Sequence, residues 1–294
     1  MKQILNDINF DNYIVVGVSA GPDSMCLLDL LEKKTNKIVV CHINHNIRKQ
    51  SIIEENYLKD YCQKHNLIFE SMTIKEYKEN NFENEARKIR YSFYEEILKK
   101  YHSNKLFLAH HGDDLIETIL MKISRGSSLK GYSGINLISK RDSYSIIRPL
   151  LYLTKDDINK ACIKENNPLA VDNSNTSDEY KRNRYRKYVL PKLKDENKLI
   201  HRKFVDFSVE LKKYDDYVSK MVLKIYPNVV KDDKINISLL LKEDDLIIEK
   251  VIEKYLFSVY KKDIGKVTSK NKNDILKMLK SKRPNSILSM PNNK

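Results

Sequence analysis

The fold is decided by the stretch Ile14-Val15-Val16-Gly17-Val18-Ser19-Ala20-Gly21-Pro22-Asp23-Ser24. Its first five residues are a short β-branched run, and the apolar residues after Ser24 recur at helical spacing, so a strand and a helix flank a tight loop of small residues. Backbone N–H groups point outward at such a loop, and the dipole of the following helix adds positive charge. The stretch therefore predicts a phosphate-binding loop at the opening of an α/β domain.

The residues of this loop have different expected roles. Gly21 permits backbone geometry that a side chain would hinder, and the hydroxyls of Ser19 and Ser24 are expected to donate hydrogen bonds to phosphate oxygens. The carboxylate of Asp23 would repel phosphate, so two interpretations are considered. Asp23 either binds a Mg²⁺ ion that bridges the carboxylate and the phosphate, or it caps the following helix. The pattern G-x-x-x-x-G-K-[ST] is absent, which argues against a P-loop ATPase. The predicted phosphate site comprises Ser19, Ala20, Gly21, Pro22, Asp23 and Ser24.

Strand and helix patterns alternate through the first half of the chain. This alternation predicts a mainly parallel sheet with helices on both faces, in which ligands bind where strand C-termini meet helix N-termini. Residues 146–151 predict an edge or final strand, and Ser51 with Glu54 forms a capping box. The predicted strands are 14–18, 37–43, 68–74, 106–109 and 146–151, and the predicted helices are 51–65, 83–101, 111–123 and 154–165.

The second half of the chain is different in character. Three of the seven glycines lie between Gly126 and Gly134, which predicts a loop. The residues from Asp178 to Lys203 are helical in pattern and carry ten Lys or Arg against four Asp or Glu, a net charge of +6. After Pro191 the alternation gives way to helix, with breaks expected near Pro227 and Gly265. We therefore predict an α/β domain over 1–200 and a smaller, mostly helical domain over 201–294.

Composition narrows the class of partner. The 294 residues carry 54 Lys or Arg and 40 Asp or Glu, for a net charge of +14. This charge favours a nucleic acid over a membrane surface, although richness in Lys, Asn and Ile is also typical of AT-rich genomes. No run reaches the ~20 apolar residues of a membrane span. The N-terminus carries acids and has no apolar core segment, so we expect no signal peptide and a cytoplasmic location.

A histidine and two carboxylates follow the fourth predicted strand. His110, Asp114 and Glu117 share one face if the helix starts near His111. Two carboxylates and a histidine at a strand C-terminus suit recognition of an amine or of Mg²⁺. A solvated helix face is the simpler explanation of Asp and Glu three residues apart. The position at the expected cleft favours a functional site.

Two further segments carry candidate contacts. His42, His45 and Arg48 follow the second predicted strand, where they could contact nucleotide or RNA, and without cysteine partners a metal is not expected. Arg87 and Arg90 share a helical stripe and could pair with phosphate or a substrate carboxylate. Surface salt bridges explain the two arginines equally simply, and the pattern alone favours that explanation.

The order of these blocks resembles the tRNA(Ile)-lysidine synthase family. The phosphate loop is similar to the S-G-G-x-D-S loop of N-type ATP pyrophosphatases, with Ala20 in place of the first glycine. The resemblance covers roughly residues 12–193, about 60% of the chain. It rests on the loop and on CHINHNIR (41–48), EARKIRY (85–91), AHHGDDLIET (109–118), RGSSLKG (125–131), IIRPLL (146–151) and DNSNTSDEYKRNRYRKYVLPKL (172–193).

The resemblance implies a Rossmann-like catalytic domain followed by a helical domain that binds tRNA. It implies an ATP-dependent ligase that forms a C–N bond. With ATP and Mg²⁺ the family adenylates the C2 oxygen of the wobble cytidine in tRNA(Ile) with a CAU anticodon, then joins L-lysine there. Longer members carry a further C-terminal domain, so at 294 residues we expect a short form.

The resemblance also implies roles for individual residues. Residues 19–24 would hold ATP and His110 would assist adenylation. Asp114 and Glu117 would bind the lysine amino groups, with Arg90, and less securely Arg87, beside them. In the basic block Tyr180, Tyr185 or Tyr188 would be available for base stacking, although helix packing is the favoured role for most of them. The residues that would meet tRNA phosphates are Arg182, Arg184, Arg186 and Lys187.

Three other functions remain as alternatives. A tRNA base thiolase would rely on cysteines, often in C-x-x-C pairs, and Cys26, Cys41, Cys62 and Cys162 form none. A glutamine-dependent amidotransferase would need a glutaminase domain, for which there is no room. An RNA-binding module with an inactive nucleotide site is disfavoured because the acidic and histidine candidates are intact. The sequence does not determine the oligomeric state and leaves a homodimer open.

Overall fold

The chain forms two compact units, Met1–Val209 and Glu210–Lys294. The structure is a computed structural model and describes residues 5–46, 50–74, 77, 82–162, 181–281 and 287–291. Arg48, Tyr180 and the start of the basic block lie outside the described residues. The first unit contains the sheet and all the remaining candidate site residues, and the second unit is mainly helical.

The first unit is built on a six-stranded sheet with strand order β3-β2-β1-β4-β6-β5. All neighbours pair in parallel except β5, which runs antiparallel to β6 at the edge. The predicted mainly parallel sheet is confirmed. Strand β5 was not predicted, and it pairs with β6 at the edge of the sheet. The last predicted strand, β6, is therefore not an edge strand. The strands are β1 (Ile14–Gly17), β2 (Ile38–Asn44), β3 (Ile68–Thr73), β4 (Lys105–Leu108), β5 (Ile138–Lys140) and β6 (Ser145–Ile147).

Helices cover both faces of this sheet, as predicted. They surround β1, whose alternate side chains enter two different apolar clusters because successive residues of a strand point to opposite faces. Val16 packs with Leu28 and Leu58 on one face, and Val15 packs with Phe93 on the other. The helices of this unit up to the basic block are α1 (Pro22–Glu32), α2 (Gln50–Lys64), α3 (Phe82–Lys100), α4 (Gly112–Ile123), α5 (Leu129–Tyr132) and α6 (Lys155–Cys162).

Helix boundaries differ from the sequence predictions in two places. Helix α2 begins at Gln50, so Ser51 is its second residue and lies buried inside it rather than capping it. The predicted loop from Gly126 to Gly134 contains the short helix α5. The predicted start of α6 is confirmed, because Thr154 and Asp157 exchange capping hydrogen bonds of 3.0–3.1 Å. Its predicted end near Glu165 lies outside the described residues.

The basic block forms a helical run that is interrupted by a rare geometry. Helix α7 (Lys181–Arg184) leads into a π-helical turn (Tyr185–Val189), which continues as α8 (Leu190–Glu196). Helices of the π type occur mostly as single turns and are frequent at functional sites. The long helix α9 (Ile200–Val229) follows, and the boundary between the two units falls within it.

The second unit packs helices around its own apolar core. Buried residues such as Val222, Val251 and Leu256 form this core. Helix α9 passes through Pro227 and ends at Val229, two residues beyond the predicted break, and Gly265 lies in a 3₁₀ segment as expected for the second break. The remaining elements are β7 (Val230–Lys231), β8 (Lys234–Ile235), α10 (Ile237–Leu240), α11 (Asp245–Tyr260), the 3₁₀ segment (Lys261–Lys266) and α12 (Ser269–Lys280).

Within the ranges that the structure describes, no helix combines the length and the apolar character that a membrane span requires.

The cysteines differ in chemical state. Cys41 and Cys62 are free and buried, and burial raises the pKa of the Cys62 thiol to about 12. Cys26 is disulfide-bonded. Spacing along the chain did not suggest this disulfide.

The strand order places two strand–helix turns side by side. The chain leaves β1 toward β2 and β3, and then returns to β4 on the other side of β1. The reversal between β1 and β4 is a topological switch point, where the turns at the C-terminal ends of the two strands leave a crevice. The phosphate loop follows β1, and His110 and His111 follow β4. The fold therefore brings two candidate segments to one crevice.

Substitution of Gly17 tests the close packing at the end of β1. A Cβ atom at this position would lie 2.5 Å from the Tyr94 hydroxyl and 2.8 Å from the Leu108 side chain. We expect Gly17→Ala to lower the free energy of unfolding by about 1–3 kcal/mol, the usual effect of overpacking. Urea denaturation measures this change. Gly265→Ala is the control, because a Cβ there meets nothing within 4 Å; equal losses in the two variants would contradict this explanation.

Candidate active site

The phosphate loop is turned by Ala20 rather than by Gly21. Ala20 has a φ of 63° and is buried, whereas Gly21 has ordinary extended angles of −72° and 160°. A Cβ on Gly21 would lie 3.4 Å from the Ser19 hydroxyl, an ordinary contact. The expectation that Gly21 supplies unusual backbone geometry is therefore wrong. Alanine in the left-handed region costs roughly 1–2 kcal/mol, so the residue that departs from the resembled loop carries local strain.

Hydroxyl groups hold the loop in shape. Ser24 is buried, and its hydroxyl donates to the Gly21 carbonyl at 2.9 Å and accepts from the Ser19 N–H at 3.1 Å. The Ser19 and Ser24 hydroxyl oxygens lie 3.3 Å apart. Ser19 itself is exposed at the surface of the loop. Ser24 therefore closes the loop, and the Ser19 hydroxyl accepts from the Gly21 N–H at 3.4 Å within it.

Asp23 binds a lysine from a distant part of the chain. The Nζ of Lys155 lies 2.5 Å from both carboxylate oxygens of Asp23. Asp23 lies in the first turn of α1, whose N-cap is Gly21 and has no side-chain cap. The interpretation of Asp23 as the helix cap is therefore wrong, and its carboxylate faces the crevice side of the loop. Lys155 was not identified from the sequence, because nothing local relates it to a residue 132 positions away.

His111 connects the phosphate loop to the acidic pair. It caps α4, because its Nδ1 accepts from the Asp113 N–H at 3.3 Å and its own N–H donates to Asp114 at 2.9 Å. Since Nδ1 accepts, the ring proton lies on Nε2. This Nε2 lies 3.6 Å from Asp23 and 3.7 Å from Asp114. The strand–helix pattern pointed to the neighbouring His110 and not to His111, although a side chain able to cap, followed three residues later by Asp, was a signal for His111.

Asp114 and Glu117 lie together, as their spacing predicted, and two arginines cover them. Arg182 donates to Glu117 at 2.7 Å and to Asp114 at 2.8 Å. Arg186 donates to Glu117 at 2.7 and 3.2 Å and to Asp114 at 3.0 Å. Glu117 is only 1% exposed and Asp114 is 12% exposed. Both acids are thus buried in a cluster of two negative and two positive charges, which we call the four-charge cluster.

The charges of this cluster shift one another's proton affinity. Burial acts to raise the pKa of Asp114, but attraction to His111 and Arg182 outweighs it and lowers the pKa to about 2. Burial acts to lower the pKa of Arg182 and Arg186, but the two carboxylates outweigh it and raise both pKa values. Asp114, Arg182 and Arg186 therefore remain charged at neutral pH.

His110 is half-buried at the start of the crevice and is neutral. Burial lowers its pKa to about 3, and the charges of Arg148, Arg182 and Arg87 act in the same direction. Its Nδ1 is buried and has no hydrogen-bond partner among the described residues. A buried polar atom without a partner is uncommon in proteins and indicates a missing contact. His110 precedes α4, so it does not share a helical face with Asp114 as the sequence analysis assumed.

A second ionic group anchors α4 on its other side. Asp113 accepts from Lys194 at 2.9 Å and forms a short contact with Nε2 of His201. Burial acts to raise the pKa of Asp113, but hydrogen bonds from His201 and Lys194 lower it overall. These contacts tie the first turn of α4 to α8 and to the start of α9. They were not predicted and hold the acidic pair in position.

The other predicted residues lie outside this group. Arg90 acts electrostatically on Tyr77 and Tyr94, whereas the charge of Arg87 acts on His110. Arg87 is exposed and lies over the Tyr91 ring at 4.9 Å. Both arginines therefore stay candidates, and Arg87 is the one whose charge reaches His110.

The histidines after β2 make local contacts. His42 is buried, and its Nδ1 donates to the Val18 carbonyl at 2.9 Å, which ties β2 to the start of the phosphate loop. His45 contacts the Tyr77 hydroxyl at 2.5 Å. Both histidines thus support the edge of the crevice.

The remaining predicted tRNA contacts face solvent. Arg184, Lys187 and Tyr188 are exposed, in contrast to Arg182 and Arg186. The ammonium of Lys187 lies 4.9 Å from the Tyr188 ring centre. The basic block therefore has two sides, one on the acidic pair and one turned outward.

A phosphate-binding loop that faces an acidic pair across a switch point defines a phosphate-binding α/β domain. The chain belongs to the PP-loop domain family, whose model matches residues 1–193. The chain is 42% identical over 236 residues to the tRNA(Ile)-lysidine synthase of Bacillus cereus, an alignment covering 76% of this chain and 50% of that protein. It is 34% identical over 298 aligned positions to the bifunctional protein TilS/HprT of Listeria monocytogenes, covering 97% of this chain and 46% of that protein. The chain thus spans about half the length of the curated relatives it matches.

A solved structure supports the fold. The U34-tRNA thiolase NcsA of Methanococcus maripaludis, solved with its [4Fe-4S] cluster, matches with a TM-score of 0.56. The match covers 69% of this chain and 72% of that chain at 14% sequence identity. At this identity the likeness concerns the fold alone.

Two substitutions of His111 separate its capping role from its other contacts. Asparagine is a good N-cap and alanine is a poor one. We expect His111→Ala to be less stable than His111→Asn by about 1 kcal/mol in the free energy of unfolding. Thermal and urea denaturation of both variants measure the difference. Equal stability would contradict the capping role of the side chain.

Acid denaturation tests the charge state of Asp114. Because its folded pKa of about 2 lies below the ordinary value, Asp114 adds stability above about pH 4 that is lost as pH falls through the folded pKa. We expect this contribution to be about 2 kcal/mol, so the stability gap between the wild type and Asp114→Asn narrows by about that amount between about pH 5 and pH 2. Urea titrations over this pH range measure it. Asp195→Asn, at a position that is 69% exposed, controls for loss of a surface charge, and a constant gap for Asp114→Asn would contradict the assignment.

Proposed function

We propose that the chain acts as a tRNA(Ile)-lysidine synthase, which adenylates the C2 oxygen of the wobble cytidine in tRNA(Ile) with a CAU anticodon and joins L-lysine there. The observation that carries the proposal is His111, whose Nε2 lies 3.6 Å from Asp23 of the phosphate loop and 3.7 Å from Asp114 of the acidic pair. A phosphate site and an amine site in one crevice are what a nucleotide-dependent ligation to an amine requires. Membership of the PP-loop family and the curated relatives support it.

The phosphate loop would bind ATP for the first half-reaction. The cytidine oxygen attacks the α-phosphorus, the bond to the β-phosphate oxygen breaks and pyrophosphate leaves. The hydroxyl of the exposed residue Ser19 and the N-terminal end of α1 would hold the phosphates. His110 is neutral, so it would stabilise the developing charge as a hydrogen-bond donor, and its unpaired Nδ1 supports a contact that forms only with substrate.

The donor set fits Mg²⁺ as nucleotide sites use it. Mg²⁺ is commonly held by one or two carboxylates together with substrate phosphates and water. Asp23 supplies such a carboxylate at the loop, and its ion pair with Lys155 marks it as accessible to a cation. The described ranges contain no cluster of three or more His, Cys, Asp or Glu able to hold a metal alone. Asp23 would hold Mg²⁺ with phosphate oxygens, and the ion would supply charge neutralisation at the phosphates.

The acidic pair would bind the amine in the second half-reaction. The ε-amine of lysine attacks C2 of the adenylated cytidine, the C2–O bond breaks and AMP leaves with the oxygen. Two buried carboxylates suit a substrate that carries two amino groups. The four-charge cluster supports this, because it demonstrates that Asp114 and Glu117 accept several N–H donors at once. Arg90, or Arg87, whose charge acts on His110, would lie near the lysine carboxylate or the adenylate.

The basic block and the second unit would bind tRNA. Residues 178–203 carry a net charge of +6, and exposed Arg184 and Lys187 are available to backbone phosphates. Residues 201–294 would add the specificity contacts of a tRNA-binding domain. A cytoplasmic location follows from the substrate.

A base thiolase is the nearest alternative, and the solved thiolase shares the fold. No feature of the chain favours it. The four cysteines contain no C-x-x-C pair, and the buried acidic pair has no role in transfer of sulfur to a base.

Incorporation of labelled lysine tests the proposal. We expect purified protein with ATP, Mg²⁺ and radiolabelled lysine to label tRNA(Ile) with a CAU anticodon at least about tenfold above initiator tRNA(Met), because both carry CAU and only recognition beyond the anticodon separates them. Acid precipitation of the RNA measures the label. No incorporation by well-folded protein, or equal labelling of the two tRNAs, would refute the assignment. Glu117→Gln is the matched variant: it keeps the size of the side chain and is expected to lose lysine incorporation while releasing pyrophosphate in the presence of tRNA.

A further inference from the structure

The proposed amine site is filled by the protein's own side chains. Arg182 and Arg186 together make five hydrogen bonds of 2.7–3.2 Å to Asp114 and Glu117. Every oxygen of Glu117, and one oxygen of Asp114, accepts from a guanidinium. The other Asp114 oxygen accepts the N–H of His111. Lysine cannot bind this pair while the two arginines remain on it.

We propose that Arg182 and Arg186 occupy the amine site in the absence of RNA and move to the RNA backbone when tRNA binds, so that lysine binds after tRNA. This inference rests on the proposed function and adds an order of binding to it. It gives the two arginines two alternative partners, the acidic pair and a phosphate. Lysine then cannot bind the acidic pair until tRNA is bound.

Burial explains why the acids need a resident cation. Glu117 is 1% exposed, and a buried carboxylate without a partner is strongly destabilising. Asp114 lies beside it, so an empty site would hold two uncompensated negative charges. The arginines supply the missing charge until an amine replaces them.

The arginines are also accessible to a second partner. The side chains of Arg182 and Arg186 are 37% and 33% exposed, so solvent and an approaching phosphate can reach them. The guanidinium group binds phosphate in the same two-pronged way as it binds carboxylate. Arg184 and Lys187 are exposed positive charges on the same segment, and their charge would attract the RNA backbone toward it. A phosphate anion can therefore replace the two carboxylates as the binding partner of these arginines.

The backbone of this segment supports a change of position. Arg182 lies in α7, and Arg186 lies in the π-helical turn Tyr185–Val189. A π turn contains one more residue per hydrogen-bonded ring than an α-helix and is rarely kept without a functional reason. Conversion of this turn to α-helix would rotate Arg186 relative to Arg182. The pair could then no longer hold both acids in its present geometry.

Departure of the arginines would also change the chemistry of Asp114. Arg182 is one of the charges that lower the pKa of Asp114. Without it the carboxylate binds a proton more readily, which suits a group that must hold an ammonium and accept a proton from the attacking amine. The same movement would therefore open the amine site and raise the proton affinity of Asp114, the group that accepts the proton.

Lysine binding with and without RNA tests the inference. Equilibrium dialysis of radiolabelled lysine is carried out with the full chain and no ATP, so that adenylation cannot occur. We expect tRNA(Ile) to tighten lysine binding by about tenfold or more, and lysine to tighten tRNA binding by the same factor, because such coupling is reciprocal. Both measurements use the wild-type protein and do not depend on the stability of a variant. Equal lysine affinity with and without tRNA would overturn the inference.

Paired substitutions identify the residues responsible. Two variants are compared with the wild type: the single variant Arg186→Gln and the double variant that also carries Arg182→Gln. Without RNA, we expect both variants to bind lysine more tightly than the wild type does. We also expect the ratio of lysine affinities with and without RNA to fall toward one. Arg141→Gln is the matched control, because it makes the same chemical change at an exposed position outside the basic block, and it should keep the wild-type response to RNA. Melting curves show whether each variant is folded. If the double variant unfolds because its two buried carboxylates have lost their cations, the single variant is used alone. A control that loses the coupling as fully as Arg186→Gln would overturn the inference.

The inference and the proposed function can fail separately. If lysine enters tRNA but its affinity does not depend on RNA, only the order of binding is wrong. If lysine neither binds nor enters tRNA under any condition, the proposed function and the inference are both wrong.

Discussion

The position of β1 between β2 and β4 is the constraint on which the site depends. Because the chain reverses direction across the sheet at this point, the turn after β1 and the turn after β4 open into the same crevice. The phosphate loop and the His110–His111 segment meet there, and His111 reaches within 3.6 Å of Asp23. Close packing at Gly17 and the His42 bond to Val18 hold the end of β1 in place. The contacts that join Asp23, His111 and Asp114 start from this meeting of two turns.

Electrostatic compensation is the second organising feature. Three carboxylates of α4, those of Asp113, Asp114 and Glu117, are buried, and none is stable without nearby cations. Asp113 has Lys194 and His201, whereas Asp114 and Glu117 have Arg182 and Arg186. The first pairing fixes the helix to its neighbours. The second places exchangeable cations where the proposed reaction needs an amine, so one physical requirement serves both stability and the proposed chemistry.

Much of the fold could be predicted because its signals are local. The β-branched run at Ile14, the small-residue loop and the helical spacing after Ser24 lie within a few residues of one another. The spacing of Asp114 and Glu117 likewise follows from helix geometry alone. The short edge strand β5 and the helix α5 were missed, because three or four residues carry too little periodicity to be recognised. The role given to Gly21 was wrong, because glycine preference at a turn does not say which neighbour takes the positive φ.

The sequence by itself determined the class of fold, the phosphate loop and the presence of an acidic pair and a basic block. Only the tertiary structure decided that the basic block divides into arginines on the acidic pair and cations in solvent. It also decided that Lys155 holds Asp23 and that His111, rather than His110, links loop and acids. The physical reason is that local patterns report the backbone, whereas ion pairs between residues 65 to 132 positions apart depend on how strands and helices pack. Sequence spacing contains no information about those distances.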